Sequence, residues 1–371
     1  MNQQTMPNLT LFDLLARHWQ RRAAVGQLCF NADGTLLAIS AADGTLALAR
    51  LADNEPPEAR MVIDNGQTTI RPREGRPSPL INTRVQGATK ISAGADGGFL
   101  VLTEKGELLC VNRGGEIAGR LLADQSPIAA FAQCPRTGLT AAVVYNRLRF
   151  QSGETGRLVE ADLGGKAIEA LSMSDDGGLL ALAAGDRLSI RSTVAPGEPV
   201  RDIALGARPV SLEWSPDGRW LACGLEQSGL CLVDVTTNDS VMLGDFPGPV
   251  GRVDWSPSAN ALLAAGAYRI AGWTMDTPPL SGSRRGALAT GRAGFVLVAA
   301  VAAHPLKKLA AAGYINGRVV VASIGSPEEL IVREGGGPVT ALQWSADGRY
   351  LAIGDALGSA AIVTFPDEIF K

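Results

Sequence analysis

Histidine is almost missing from this chain of 371 residues, which carries only His18 and His304. Two isolated imidazoles cannot supply a clustered His-based metal site, so none is expected. A net charge of −3 provides no field of one sign, which argues against nucleic acid or an acidic membrane surface as partner. Apolar runs such as Phe295–Ala303 fall far short of the ~20 residues a membrane span needs. No basic region leads into an apolar stretch at the N-terminus, so no signal peptide is read there. The five cysteines (Cys29, Cys110, Cys134, Cys223, Cys231) show no Cys-x-x-Cys spacing. An odd count at core-like positions reads as free buried thiols in a reducing compartment. Cys223 and Cys231 can face each other across a hairpin, but such a compartment disfavours a disulfide. These absences predict a soluble, cytoplasmic chain. Catalytic signatures are missing as well: no Gly-x-Ser-x-Gly elbow, P-loop or dinucleotide fingerprint occurs in a strand-to-helix context. The Asp-Gly pairs lack the spaced carboxylates of a calcium loop and read as turns. No catalytic residue, cofactor or metal ligand is therefore assigned.

What the chain does contain is one phrase written eight times. Its clearest copies are Val25-x-x-Leu28-x-Phe30-x-x-Asp33-Gly34, Pro209-x-x-Leu212-x-Trp214-Ser215-Pro216-Asp217-Gly218 and Val339-x-x-Leu342-x-Trp344-Ser345-Ala346-Asp347-Gly348, each followed by Leu-Ala. Weaker copies begin at Ala88, Ile128, Ile168, Val250 and Val298. The spacing is about 41 residues, with longer first and sixth intervals, and a period of that size points to a β-propeller. Within a copy, apolar and polar residues alternate as in a strand, and Asp-Gly supplies the turn to the next run. Four short antiparallel strands per copy make one blade. Blades buried on both faces explain the abundance of Ala, Val, Leu and Gly. The first-strand residues Trp214, Trp255 and Trp344 are expected to lie between neighbouring sheets.

The Ser-Pro-Asp-Gly turns, the Leu-Ala that follows and the Val233-Asp234 pair resemble the WD40-repeat family across roughly residues 25–365. The resemblance implies an all-β, WD40-like propeller of four-stranded antiparallel blades. Eight copies favour eight blades, with seven, the commonest number in the family, as the alternative. Gly-His dipeptides are absent, so the hydrogen-bond network of Asp, His, Ser or Thr and Trp found in many such blades cannot recur. The chain reads as a divergent member held together by packing. Arginine far outnumbers lysine and alanine is abundant, usage that suits a GC-rich bacterial genome.

The last copy ends at Phe365 without room for a fourth strand, so residues 1–24 are read as a segment that closes the ring or precedes it. Within Asn8–Trp19 two readings stand. One is the missing strand. The other is a helix with Thr10 and Asp13 at capping-box spacing and Leu11, Leu14, Leu15 and His18 along one side. The propeller is assigned to 25–371. An exposed insertion at about 64–84, including the Arg71–Pro77 stretch, is expected between blades one and two. His304-Pro305 occupies the Ser-Pro position of its copy and reads as a turn residue, and His18 as structural or surface.

In WD40-like blades the turns between second and third strands share a face with the blade-to-blade connections. That plan puts Tyr145 with Arg147, Asp186 with Arg187, Tyr268 with Arg269 and Tyr314 with Arg318 on one face. Tyr and Arg are enriched at protein-binding hot spots, so Tyr145, Arg147, Arg187, Tyr268, Arg269, Tyr314 and Arg318 form the candidate partner-binding set. The competing reading is that these residues merely end strands and solvate the rim. The expected function is a non-enzymatic interaction scaffold, or an accessory subunit of a larger complex, docking one or more proteins. The alternative is a small-molecule or peptide-processing enzyme at the central channel mouth, with Asp43, Glu104, Glu226 and Asp355 as its acid/base set.

Overall fold

Every repeat forms an antiparallel sheet, because its second strand is apolar on both faces and must be covered from both sides. Leu36–Ala41, Phe99–Thr103, Thr140–Val144 and Trp220–Leu225 are buried at every position. A strand of that kind is stable only between two other sheets. The computed structural model describes residues 9–64, 67–94, 96–122, 126–134, 136–151, 158–165, 167–227, 229–282 and 284–370. It is an all-β, eight-bladed propeller of antiparallel blades. The first strands, in order, are Val25–Phe30, Ala88–Ala93, Ile128–Gln133, Ala170–Met173, Pro209–Trp214, Val253–Ser256, Val298–Ala303 and Val339–Trp344. First strands of successive blades pack together at seven of the eight boundaries, all but that of blades 2 and 3, and form the inner ring around the axis. Seven blades have four strands. In blade 6 the described residues give three strands, and the isolated bridges Trp273↔Ala287 and Ile270↔Thr290 stand where a fourth would pair.

Local chemistry repeats with the blades. The register between first and second strands shifts at the same point in six of them, for example between Val25 and Gln27, Pro209 and Ser211, and Val339 and Ala341. Such a bulge bends and twists the strand as it enters the blade. At its far end a buried side chain caps the turn. Ser215 Oγ accepts from Trp220 N–H (2.9 Å), Ser345 Oγ from Tyr350 N–H (2.9 Å), and Asn31 Oδ1 from Leu36 N–H (2.9 Å). In blade 7 the same position is His304, whose Nδ1 accepts from Leu306 and Lys307 N–H at 3.1 and 3.0 Å. Its ring packs on Trp344 of blade 8 (centroids 4.8 Å apart). Gly348, at φ +70°, ends the Asp-Gly turn above it, where a Cβ would lie 2.2 Å from the His304 ring. Only glycine meets both demands.

The inner ring poses a problem that packing alone cannot solve. A first strand pairs on one edge only, and the other edge presents unpaired N–H and C=O groups to the axis. Side chains of neighbouring blades fill much of that edge. The indole N–H groups of Trp214, Trp255 and Trp344 donate to the carbonyls of Ser172, Glu213 and Ala302 in the preceding blades (3.2, 3.0 and 3.2 Å). Gln27 pairs with both backbone groups of Ile91: Nε2 donates to its carbonyl (3.0 Å) and Oε1 accepts from its N–H (2.8 Å). Gln343 Oε1 accepts from Phe30 N–H (3.2 Å), and Asp254 Oδ2 from Ala303 N–H (2.7 Å).

Both readings of the N-terminal segment describe part of it. Thr10 and Asp13 form a capping box on the helix Leu11–Leu15, which buries Leu15 against blades 7 and 8. The chain then extends as Ala16–Gln20 and pairs antiparallel with Ser359–Thr364, from Ala16↔Val363 to Gln20↔Ser359. It is the outermost strand of blade 8. Arg17 on it is almost wholly buried and ties blade 8 to blade 1, donating to the carbonyls of Arg50 (3.0 Å), Leu51 (2.8 Å) and Ala52 (3.0 Å).

The extra length after the first repeat lies inside blade 1, between its third strand Leu46–Arg50 and its short fourth strand Ile81–Asn82. It contains the 3-10 turn Pro57–Arg60 and the hairpin Met61–Asp64/Gln67–Ile70. Several contacts fasten it. Arg60 donates to the Arg71 carbonyl and to the Leu14 carbonyl (2.6 Å), Arg73 pairs with Asp53, and Trp19 donates to the Ser78 carbonyl (2.9 Å).

Trp214, Trp255 and Trp344 are each 7% exposed. Truncating any one to Ala should cost about 3–5 kcal/mol. Trp→Phe, which keeps most of the volume but removes the inter-blade N–H, should cost about 1–3 kcal/mol. Urea titration reads both; a Trp→Phe variant as stable as wild type would mean that the indole bond contributes nothing. Separately, a chain beginning at Arg21 should melt well below the full chain and aggregate, because blade 8 then has an open edge. An unchanged melting temperature would show that the N-terminal strand is dispensable.

Candidate functional site

Hydrogen bonds between turns sort the loops into two faces. The second-to-third-strand turn of a blade bonds the connection entering the next one: Ala88 N–H to Gly44 O (2.9 Å), Ile128 N–H to Gly106 O (2.9 Å), Gly336 N–H to Asn316 O (3.2 Å). First-to-second and third-to-fourth turns bond one another on the opposite face, as in Leu51 N–H to Thr35 O, Val235 N–H to Arg219 O and Phe365 N–H to Arg349 O (each 2.9 Å).

The seven residues singled out from sequence lie at turns of the first face, spread over blades 3, 4, 6 and 7. Tyr145 is 71% exposed at the tip of a two-residue turn, with φ +47°, and Asn146 follows at +63°. Asn suits that left-handed conformation and Tyr does not, so the turn holds a bulky ring outward at some local strain. Arg147 shares Glu160 with Arg149 (3.4 and 2.8 Å), and Arg187 pairs with Asp202 (3.2 Å). Tyr268 is 46% exposed and Arg269 stands beside it, exposed and without an ion pair among the described residues.

Blade 7 requires a correction. Tyr314 is 7% exposed and packs with Leu263, Ala265, Val298 and Val320. It is the last residue of the buried strand Leu309–Tyr314, and its neighbour Ile315, 48% exposed, is the one the turn presents. Arg318 binds Glu329 (3.0 Å), a carboxylate only 4% exposed. The Tyr314 ring is thus part of the blade core, and Arg318 already holds a carboxylate of its own blade.

The four carboxylates considered for an acid/base set fare similarly. Asp43 accepts from Thr45 N–H (3.0 Å) and Oγ1 (2.6 Å) within its own turn. Asp355 is buried, accepting from Leu357 N–H (3.0 Å), Ser359 N–H (2.9 Å) and Arg333 (3.1 Å). Glu104 and Glu226 are exposed on the turns of blades 2 and 5. Among the described residues no three His, Cys, Asp or Glu side chains gather closely enough to hold a metal ion. A cleft of about 490 Å³ between blades 2 and 3 lies over Phe99, Leu100, Cys110 and Thr140, on the side of the opposite face and away from these turns.

A polar group that sequence reasoning missed sits on the inner ring. Lys90 Nζ crosses from blade 2 to the carbonyls of Phe131 (2.8 Å) and Leu171 (3.1 Å), on the first strands of blades 3 and 4. Burial lowers its pKa to about 8, against the pull of Glu213. Glu213 in blade 5 is pushed up to about 7 by burial and by Asp254, with Arg252 and Lys90 opposing. Asp254 itself is raised to about 6 by burial, in spite of the Ala303 and Trp255 N–H groups it accepts. The available signal was a charged residue in an apolar first strand, as in Leu212-Glu213-Trp214, and strand alternation alone reads it as a solvated position.

The raised acids have a stability consequence with a definite sign. Unfolded, Glu213 titrates near its ordinary value of 4.5, and folded at about 7, so across that window the native chain holds a proton the unfolded chain has released. Stability should therefore fall as pH rises from about 4.5 to 7. Lys90, depressed from 10.5 to about 8, adds stability as pH rises between those values. Glu213→Gln should flatten the decline, measured by urea titration at pH 5 and pH 8. A variant whose pH profile runs parallel to wild type would show that Glu213 does not carry it.

No family model matches the chain, and no curated protein matches it by sequence. Solved structures do match in shape. The crystal structure of the computationally designed Ika8 protein aligns with a TM-score of 0.67 at 17% identity, covering 95% of this chain and 99% of that one. A chain in the crystal structure of the Mitotic Checkpoint Complex aligns with a TM-score of 0.58 at 11% identity, covering 99% and 96% respectively. At these identities the likeness is one of fold.

Proposed function

We propose that this propeller is a protein-interaction scaffold or accessory subunit, a divergent WD40-like protein that docks its partner on the face of the second-to-third-strand turns. The observation that carries the reading is the presentation of Tyr145, Tyr268 and Arg269: two exposed rings and an unpaired guanidinium on turns fixed at both ends by buried strands. Groups held in this way lose little freedom on binding. The fold is compatible with the role, and the Mitotic Checkpoint Complex chain similar to it was itself solved within a protein complex. Nothing gathered at the turn carboxylates favours the enzyme reading, since Asp43 and Asp355 are occupied by their own turns. The same proposal places the protein in the cytoplasm. The buried thiols suit a reducing compartment: burial pushes Cys29 up to about 12 and raises Cys223 as well.

Replacing Tyr145, Tyr268 and Arg269 together with Ala should leave the melting temperature unchanged and weaken recovery of the partner that co-purifies from the native cell. Two true hot spots would each remove about 2 kcal/mol, more than a tenfold loss apiece. The control is Val194→Ser with Leu306→Ser, on the opposite face, where the two residues are 89% and 66% exposed. Loss confined to the control would move the working surface to that face.

A further inference from the structure

Besides Tyr145 on blade 3, the turn face carries a run of exposed apolar side chains over blades 6 to 8. Phe295 is 99% exposed, Leu357 69%, Ile315 48% and Tyr268 46%. They belong to consecutive loops of blades 6, 7 and 8 that are hydrogen-bonded into one strip. Gly294 N–H donates to Tyr268 O (3.2 Å), Ile315 N–H to Leu297 O (3.1 Å), Gly336 N–H to Asn316 O (3.2 Å) and Ala356 N–H to Pro338 O (2.8 Å). The four residues therefore follow one another along a fixed support. Scattered exposed apolar residues need no explanation, but a contiguous run of this kind marks a contact surface.

The charge of the strip says what covers it. Arg269 and Arg292 are exposed on its blade 6 side, and neither side chain joins an ion pair among the described residues. Glu329, the acid that accepts from the Arg292 backbone N–H (3.0 Å), is already bound to Arg318 (3.0 Å). Glu334 is an exposed acid at the blade 8 end, so the cationic part lies over blades 6 and 7.

We infer, building on the scaffold reading, that this strip docks an acidic segment of a partner protein carrying aliphatic or aromatic side chains, laid across blades 6 to 8. Carboxylates of the segment meet Arg269 and Arg292, and its apolar side chains cover Phe295 and Ile315. A second copy of this chain fits less well. A two-fold contact exchanges the two ends of the strip, so that Glu334 alone would answer both Arg269 and Arg292 of the other copy. An anionic membrane is disfavoured because recruitment by charge takes a cluster of about 4–8 basic residues.

The test uses the full chain and fluorescein-labelled peptides of about fifteen residues that alternate Glu with Leu and Phe, beside a version with Lys in place of Glu. Fluorescence anisotropy should show the acidic peptide binding at least tenfold more tightly than the Lys version. F295S should weaken it about tenfold, and R269E/R292E should reverse the preference, with melting temperatures unchanged since all three residues are exposed. Equal binding of the two peptides, or binding of neither, overturns the inference. So does binding to vesicles of about 30% phosphatidylserine without peptide binding, which would make the partner a membrane. A concentration-dependent dimer that F295S abolishes would make it a second copy. If capture of the native partner depends on Tyr145 but not on Phe295, the scaffold reading stands and this inference falls. If the acidic peptide binds as described but no protein partner depends on this face, the scaffold reading falls and the protein occupant inferred here falls with it.

Discussion

The open inner edge of the eight first strands is the constraint on which the rest of the structure depends. An edge strand at the centre of a ring has no room for a further strand, and its unpaired amides and carbonyls are costly unless something reaches them. The structure answers with side chains sent across the blade boundary. Trp214, Trp255 and Trp344 do this with an indole whose body is also the main packing element of the boundary, so one residue both fills the space and satisfies the backbone. Gln27, Gln343, Asp254 and Lys90 do it with polar groups alone. Each bond joins residues of adjacent or nearly adjacent blades. No blade can shift in register without breaking its neighbour's contacts, which makes the ring cohere beyond what packing of apolar faces provides.

The same solution brings polar chemistry to the axis. Ionisable groups close to the inner ring lose solvent, and Lys90, Glu213 and Asp254 all move toward their neutral forms. Burial is the largest cause in each case. Lys90 earns its place through two carbonyls of other blades, and Asp254 through an inter-blade amide. These charges follow from ring closure and do not by themselves indicate a reaction.

Legibility in the sequence follows the strength of local repetition. The eight phrases, the turn chemistry and the three buried tryptophans are visible because first and second strands obey a strict pattern set by burial on both faces. Fourth strands face solvent and vary freely. Blade 1's is only Ile81–Asn82, so the long loop before it looks from sequence like a connection after the blade. The N-terminal segment gave two answers because it holds both elements in succession, with helix spacing through Leu15 and strand alternation from Ala16. Tyr314 and Ile315 differ by one position, and only the length of the preceding strand decides which is buried. Phe295, Leu357 and the inter-blade role of Lys90 could not be read, since exposure and reach depend on how loops from different repeats stack.

The arginines of the turn face separate into two populations, and the separation bears on how the surface can discriminate. Arg147, Arg187 and Arg318 each already bind a carboxylate of their own blade's fourth strand. A partner that approaches them must compete with a bond already made, and gains little from exposed pairs of this kind. Among the described residues Arg269 and Arg292 have no such bond to exchange, so the whole interaction with an incoming carboxylate is new. They share the blade 6 loops with Phe295, the most exposed apolar side chain of the described residues. A partner that covers the ring also removes water from around those charges, and each contact strengthens the other. Sequence composition treats all these arginines alike. Their difference comes from whether the fourth strand of the blade supplies an acid within reach, which makes the solvent-facing and least regular strands of the propeller the ones that decide where its charge remains available.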